Sequence, residues 1–168
     1  MTELDQIWSQ MLAQATVKAR ESGRRDVAAY LQLKSTNDAI RTTGVGWLFD
    51  TVIEIAAEKN RQNSPLTIER TDSHRFEHGS STLVGTAVHI RQGVRCLTVE
   101  AGWTRTPSDG IMRGGALAFA RLSHFGMPKS GAELMLVGDK PTPRWSFAGT
   151  LKAINSSELR RHLEILMT

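Results

Sequence analysis

An α+β fold is predicted for this chain: N-terminal helices followed by a mixed sheet with a central hairpin and two further helices. Three features predict it. Apolar residues recur at helical spacing through the first third, period-two alternation begins at Leu66, and a turn signal at Gln92-Gly93 divides two alternating runs. The 168 residues, 40% hydrophobic and 23% charged, fit one domain with a helical part over 1–62 and a mixed α/β part over 63–168. At that size folding hides about 70% of the extended chain's surface, so no disulfide or structural metal is needed. The single cysteine, Cys96, excludes an intrachain disulfide and multi-cysteine metal motifs. An acidic amphipathic start, and no run of about 18 apolar residues, predict a cytoplasmic chain without a membrane partner.

The first helix is predicted over 2–22, because Leu4, Ile7, Trp8, Met11, Leu12, Ala15 and Ala19 form one stripe. Thr2 is its expected N-cap, and Gly23 its C′ residue beyond the dipole-matched Lys18 and Arg20. A second short helix is expected over 24–34. Gly44 and Gly46 then lead into a third carrying Leu48, Val52 and Ile55, which closes at Asn60 to Pro65. Leu66 to Arg70 reads as the first strand and Thr71 to Ser81 as a polar loop. The hairpin pairs Thr82–Arg91 with Val94–Thr104 in a register that sets Gly85 opposite Glu100 and His89 opposite Cys96. The apolar run Ala116 to Phe125 reads as a buried helix started by Gly114-Gly115 and ended by Gly126 and Pro128. Ala132 to Val137 is an expected interior strand and Trp145 to Ala153 another. Asn155 with Glu158 starts a last helix, with Leu159, His162, Leu163 and Leu166 inward.

The net charge is +4, and every basic residue from Arg61 to Arg121 is arginine. A guanidinium's planar fork suits phosphate and carboxylate oxygens, which points to a partly anionic partner. The stretch Trp103 to Gly115 adds two arginines, an Asp109-Gly110 turn and Gly114-Gly115, where backbone N–H groups at a helix start would join Arg105 and Arg113 around an anion. The glycine spacing matches neither a P-loop nor a dinucleotide fingerprint. Alternatively, Asp109 pairs with Arg105 or Arg113 and the glycines only ease a tight turn.

The order helix, strand, hairpin strands, helix, strand through 45–137 resembles the PD-(D/E)XK nuclease-like fold. That resemblance implies metal-dependent phosphodiester cleavage, with Glu100 in the place of the family's strand glutamate and Asp50 or Glu54 in that of its helical acid. The sequence departs from the pattern two residues on, where Gly102 replaces the usual lysine. The partner strand offers Leu83, Gly85, Ala87 and His89 in place of an aspartate. Cleavage of this kind needs about two hard oxygen ligands on Mg²⁺ and a charge beside the phosphorus, which a solitary acid among glycines does not supply. Asp72 is the acid that a loop would bring toward Glu100.

Ser73, His74 and Asp72 are neighbours in one loop without a strained turn to expose a nucleophile, so a polar loop is expected rather than a triad. His74, His78 and His89 lack metal-ligand spacing, and Cys96 reads as an inert buried thiol. Together these readings predict a non-enzymatic domain that uses no cofactor or metal. It would bind nucleic acid or another phosphate-bearing ligand through Arg70, Arg75, Arg105 and Arg113, with Gly114 and Gly115. The alternatives are a metal-dependent phosphodiesterase using Glu100 with Asp72 or Asp50, and an assembly subunit forming a homodimer through helix 2–22.

Overall fold

Alternation of apolar side chains from Leu66 onward builds a sheet, and its strands follow one another in space as they do in sequence. The computed structural model describes residues 3–21, 23–63, 65–138, 143–150 and 152–168. The expected Thr2 cap and most of the proline-bearing loop after Gly138 lie outside them. The strands β1 (Thr67–His78), β2 (Ser81–Gln92), β3 (Arg95–Trp103), β4 (Ala118–His124), β5 (Ala132–Val137) and β6 (Arg144–Phe147) form one sheet in that order. Every neighbouring pair is antiparallel, so the α+β class holds while the expected mixed sheet is a meander. Helices α1 (Glu3–Glu21) and α2 (Arg25–Arg61) precede it and α3 (Ser156–Met167) follows it.

The chain divides into two compact units, Met1–Thr42 and Thr43–Thr168. In the first, Gly23 takes φ +77°, and the Gly23 and Arg24 N–H groups donate to the carbonyls of Arg20 and Ala19. This Schellman-type stop meets the expectation for Gly23. Thr16, Ala19 and Ala28 are buried there. Of the predicted stripe, Ala19 is buried but Ile7 and Met11 are exposed, and Val17, Tyr30 and Leu33 are exposed as well.

In the second unit, the meander has two unlike faces. One carries Val88, Ile90, Leu97, Val99, Ala101, Leu122, Leu134, Leu136 and Trp145, all buried. Leu48, Phe49, Val52, Ile55 and Ala56 of α2 and Leu159, Leu163 and Leu166 of α3 complete this core. The Trp145 indole N–H donates to the Gly44 carbonyl at 2.9 Å and so fastens α2 to β6. The opposite face holds a smaller cluster of Phe76, Leu83, Ala116 and Phe119, edged by Met112 and Met135.

Four expectations are corrected. The helices expected over 24–34 and from Gly44 are one helix of 37 residues. Gly44 does not break it, because the missing side chain leaves room for Leu136. The loop expected over 71–81 is mostly strand: β1 runs on past a bulge between Thr71 and His74, where Ser73 has φ +56°. Its polar sequence is that of an edge strand, which charge protects from further pairing. The buried helix expected over Ala116–Phe125 is β4, apolar throughout because it lies between β3 and β5 and is covered on both faces. One helix, not two, therefore follows the start of the sheet among the described residues, and the order that carried the nuclease resemblance has a strand in place of its inner helix. The hairpin register also slips. Glu100 faces Ala87, Gly85 faces Gly102, and His89 faces Thr98, with Gly93-Val94 as the turn. The slip of two residues leaves each face's membership as predicted, because side chains alternate with period two.

Candidate functional site

Residues 104–117 leave β3, fold back across the end of the β1–β2 hairpin and re-enter the sheet as β4. Asp109 holds this loop. Its Oδ2 accepts the N–H groups of Arg105 and Thr106, both at 3.0 Å, and its Oδ1 lies 3.4 Å from Arg75 Nη2. The Thr-Pro-Ser-Asp run is a capping box around the short turn Pro107–Asp109. The two backbone donors, with Arg75 contributing further, hold the Asp109 carboxyl below the usual carboxylate range. The Ser81 hydroxyl donates to the Ile111 carbonyl at 3.0 Å and closes the other side of the loop.

Three of the four predicted anion-binding arginines lie on this loop or contact it. Arg75 lies on β1 opposite Val84. Arg105 donates through Nε and Nη2 to the Val84 carbonyl at 3.3 and 3.0 Å, and its guanidinium carbon is 3.8 Å from the centre of the Trp103 ring. Arg113 reaches the Ser80 hydroxyl at 3.4 Å. All three are exposed. The Val84 carbonyl and the Ser80 hydroxyl are neutral acceptors, whereas Arg75 meets the Asp109 carboxylate. Arg70 is apart from them: it pairs with Asp72 at 3.2 Å and lies 5.9 Å from the Phe49 ring.

Gly114 and Gly115 do not start a helix. They end the turn Arg113–Gly115 with φ of +67° and +70° and lead into a strand. The helix-start donors expected around an anion are therefore not part of this site, and the glycines serve the backbone geometry.

Glu100 is engaged by other groups. On the sheet face opposite the helices, its Oε2 is 2.8 Å from His74 Nε2 and its Oε1 accepts from Arg121 Nη1 at 3.3 Å. Arg121 continues to the Glu77 carbonyl at 3.0 Å and to Glu133 at 3.7 Å. Asp72 instead accepts from Thr86, whose side chain belongs to the helix-covered face, and Asp50 is exposed on α2. The structure thus brings neither acid to Glu100, and among the described residues no three His, Cys, Asp or Glu side chains converge as metal ligands.

No family model, curated protein or solved structure matches this chain. The arrangement at the Arg75–Arg105–Arg113 loop therefore rests on its own chemistry.

Two features of the second unit were not visible in the sequence reading. The His74–Glu100–Arg121 network depends on the β1 bulge, whose only local signal is the Asp-Ser-His polar run. His124 Nε2 and His162 Nδ1 meet at 2.9 Å in the core, with rings stacked at 5.2 Å, although 38 residues separate them.

Proposed function

We propose that this protein binds a phosphate-bearing polymer, nucleic acid being the partner its chemistry fits, through Arg75, Arg105 and Arg113. The observation that supports this most is a loop that Asp109 ties down, carrying the exposed Arg105 and Arg113 and met by the exposed Arg75 of β1. A fixed loop presents its cations without further loss of conformational freedom on binding. Arg70 and Arg75 contribute less charge, because Asp72 and Asp109 pair with them. Phosphate contacts of this kind supply affinity and are sensitive to salt, and no element here is placed to read base edges. Fluorescence polarisation with a labelled oligonucleotide tests the reading. Binding should weaken steeply between low and physiological salt, and each of Arg75→Ala, Arg105→Ala and Arg113→Ala should reduce the slope of log K against log salt by about 1. Binding that is absent at low salt, or whose slope ignores all three substitutions, refutes it.

The exposed side chains of the first unit favour a second reading, self-association. Among the described residues of the first unit, Thr16, Ala19 and Ala28 are buried, while Ile7, Met11, Val17, Tyr30 and Leu33 are exposed. A second copy is the occupant the charge selects. Residues 1–42 carry six Lys or Arg against five Asp or Glu, spread along the segment. Such a balance offers an anionic polymer or lipid surface no field to follow, yet lets two like hairpins close into a bundle. Light scattering should show a dimer that Met11→Glu converts to monomer, and a monomeric wild-type chain would dispose of it.

A further inference from the structure

Two connections at one end of the sheet carry apolar side chains into solvent. Because β2, β3, β4 and β5 are successive antiparallel strands, the β2–β3 turn and the β4–β5 connection leave the same end, opposite to the Asp109 loop. There Val94 is 89% exposed and Phe125 75%, and Met127 is exposed as well. Single exposed apolar residues are ordinary on a protein surface, but three on two adjoining loops form a patch. The tips are also held in place. The Phe125 N–H donates to the Cys96 carbonyl at 2.9 Å, which ties one loop to the foot of the other. Gly93 and Gly126 turn the chain with φ of +61° and +74°, and the Met127 N–H donates to the His124 carbonyl at 3.0 Å.

The charges of these loops have one sign. Residues 92–95 and 125–131 contain Arg95 and Lys129 and no acid. Both cations are exposed, and neither is in an ion pair among the described residues. The acids nearest in the strands are engaged by other groups, Glu69 by Arg91 at 3.8 Å and Glu133 by Arg121 at 3.7 Å. We infer that this end of the sheet docks on a bilayer surface bearing anionic headgroups, with Val94 and Phe125 entering the acyl boundary and Arg95 and Lys129 meeting the headgroup anions. A fluid bilayer yields to projecting side chains, whereas a protein partner would need a pocket formed for each, and the cations select an anionic leaflet. Docking of this kind lies on the membrane and needs no spanning helix. It is independent of the anion-binding reading, whose Arg105 and Arg113 belong to the loop at the other end.

Vesicle sedimentation of the full chain at one low salt concentration tests it, on phosphatidylcholine alone and on equal parts of phosphatidylcholine and phosphatidylserine. The chain should sediment with the mixed vesicles and bind phosphatidylcholine far more weakly, a comparison that needs no variant. Val94→Ser with Phe125→Ser should weaken binding to the mixed vesicles by about tenfold or more, the worth of burying a phenylalanine alone. Arg95→Gln with Lys129→Gln should weaken it by about fivefold for each cation removed. All four side chains are exposed, and thermal melting checks that both variants fold. Absence of binding to the mixed vesicles overturns the inference. Binding that the two serines leave intact would be adhesion of the arginines at the other end, and overturns it too. Equal binding to both kinds of vesicle overturns the choice of an anionic surface. A chain that ignores vesicles, yet is dimeric by light scattering and monomeric with both serines, would show that a second copy covers the tips and overturns it as well.

Discussion

Gly44 and Gly46 lie two positions apart in one helix and do opposite work. A Cβ on Gly44 would stand 2.7 Å from Cδ2 of the buried Leu136, whereas a Cβ on Gly46 meets nothing within 4 Å. Glycine costs a helix interior about 1 kcal/mol relative to alanine. Gly46→Ala should therefore raise stability by about 1 kcal/mol. Gly44→Ala should lower it by about 1 to 3 kcal/mol, the usual cost of overpacking. Chemical denaturation of the two variants checks the contrast, and equal effects would show that Leu136 does not set the closeness of α2. At the same scale, Asp109 shows how one carboxylate organises a loop. It accepts two backbone donors within four residues, where the sequence suggested an Asp-Gly turn or a pair with Arg105 or Arg113, and its carboxylate partner is Arg75, 34 residues away.

Helix α3 is legible as an element. Asn155 caps it by accepting the Glu158 N–H at 3.2 Å, and Leu159, His162, Leu163 and Leu166 turn inward as their spacing requires. What fastens it to β4 is a pair of imidazoles. With both neutral, one nitrogen donates and the other accepts, and a proton on the acceptor breaks the bond and leaves a charge in the core. Burial above all, with smaller contributions from His124 and Arg161 and against Glu158, lowers the His162 pKa to about 4. Burial lowers His124 as well. Both histidines thus take up protons more readily when unfolded. Their folded-state contribution is complete above the ordinary histidine range near 6.5 and declines as pH falls toward about 4, by about 3 kcal/mol for His162. Urea midpoints across that window should fall for the wild type. The fall should be much shallower when both histidines are replaced, as in His124→Gln with His162→Leu. An equally steep fall in that variant would place the acid sensitivity elsewhere.

For the whole molecule, the proposed anion-binding loop and the proposed self-association have a joint consequence. A dimer carries the loop twice, so a long oligonucleotide strand that reaches both copies should bind more tightly than a short one by about a hundredfold. Met11→Glu should remove that advantage and leave short-strand affinity alone, as polarisation with strands of the two lengths would show. An advantage that survives in a monomeric variant would mean one chain covers the longer strand by itself. Among the described residues no helix is long and apolar enough to cross a membrane.

The α+β class, the hairpin with the composition of its two faces, the cap of α3, the stop at Gly23 and the interior strand Ala132–Val137 were determined by the sequence alone. Each depends on side-chain period or on a residue a turn or cap requires, and such signals act within a few positions. Tertiary structure decided the rest. Ala116–Phe125 became a strand because it is enclosed on both faces, where an apolar run no longer distinguishes helix from strand. Glu100 was given to His74 and Arg121, and Arg75 and Arg105 were brought together, by a bulge and a loop that close over distances no local pattern records. Contacts of that kind are set by which strands share an edge, and pairing is chosen by the core as a whole.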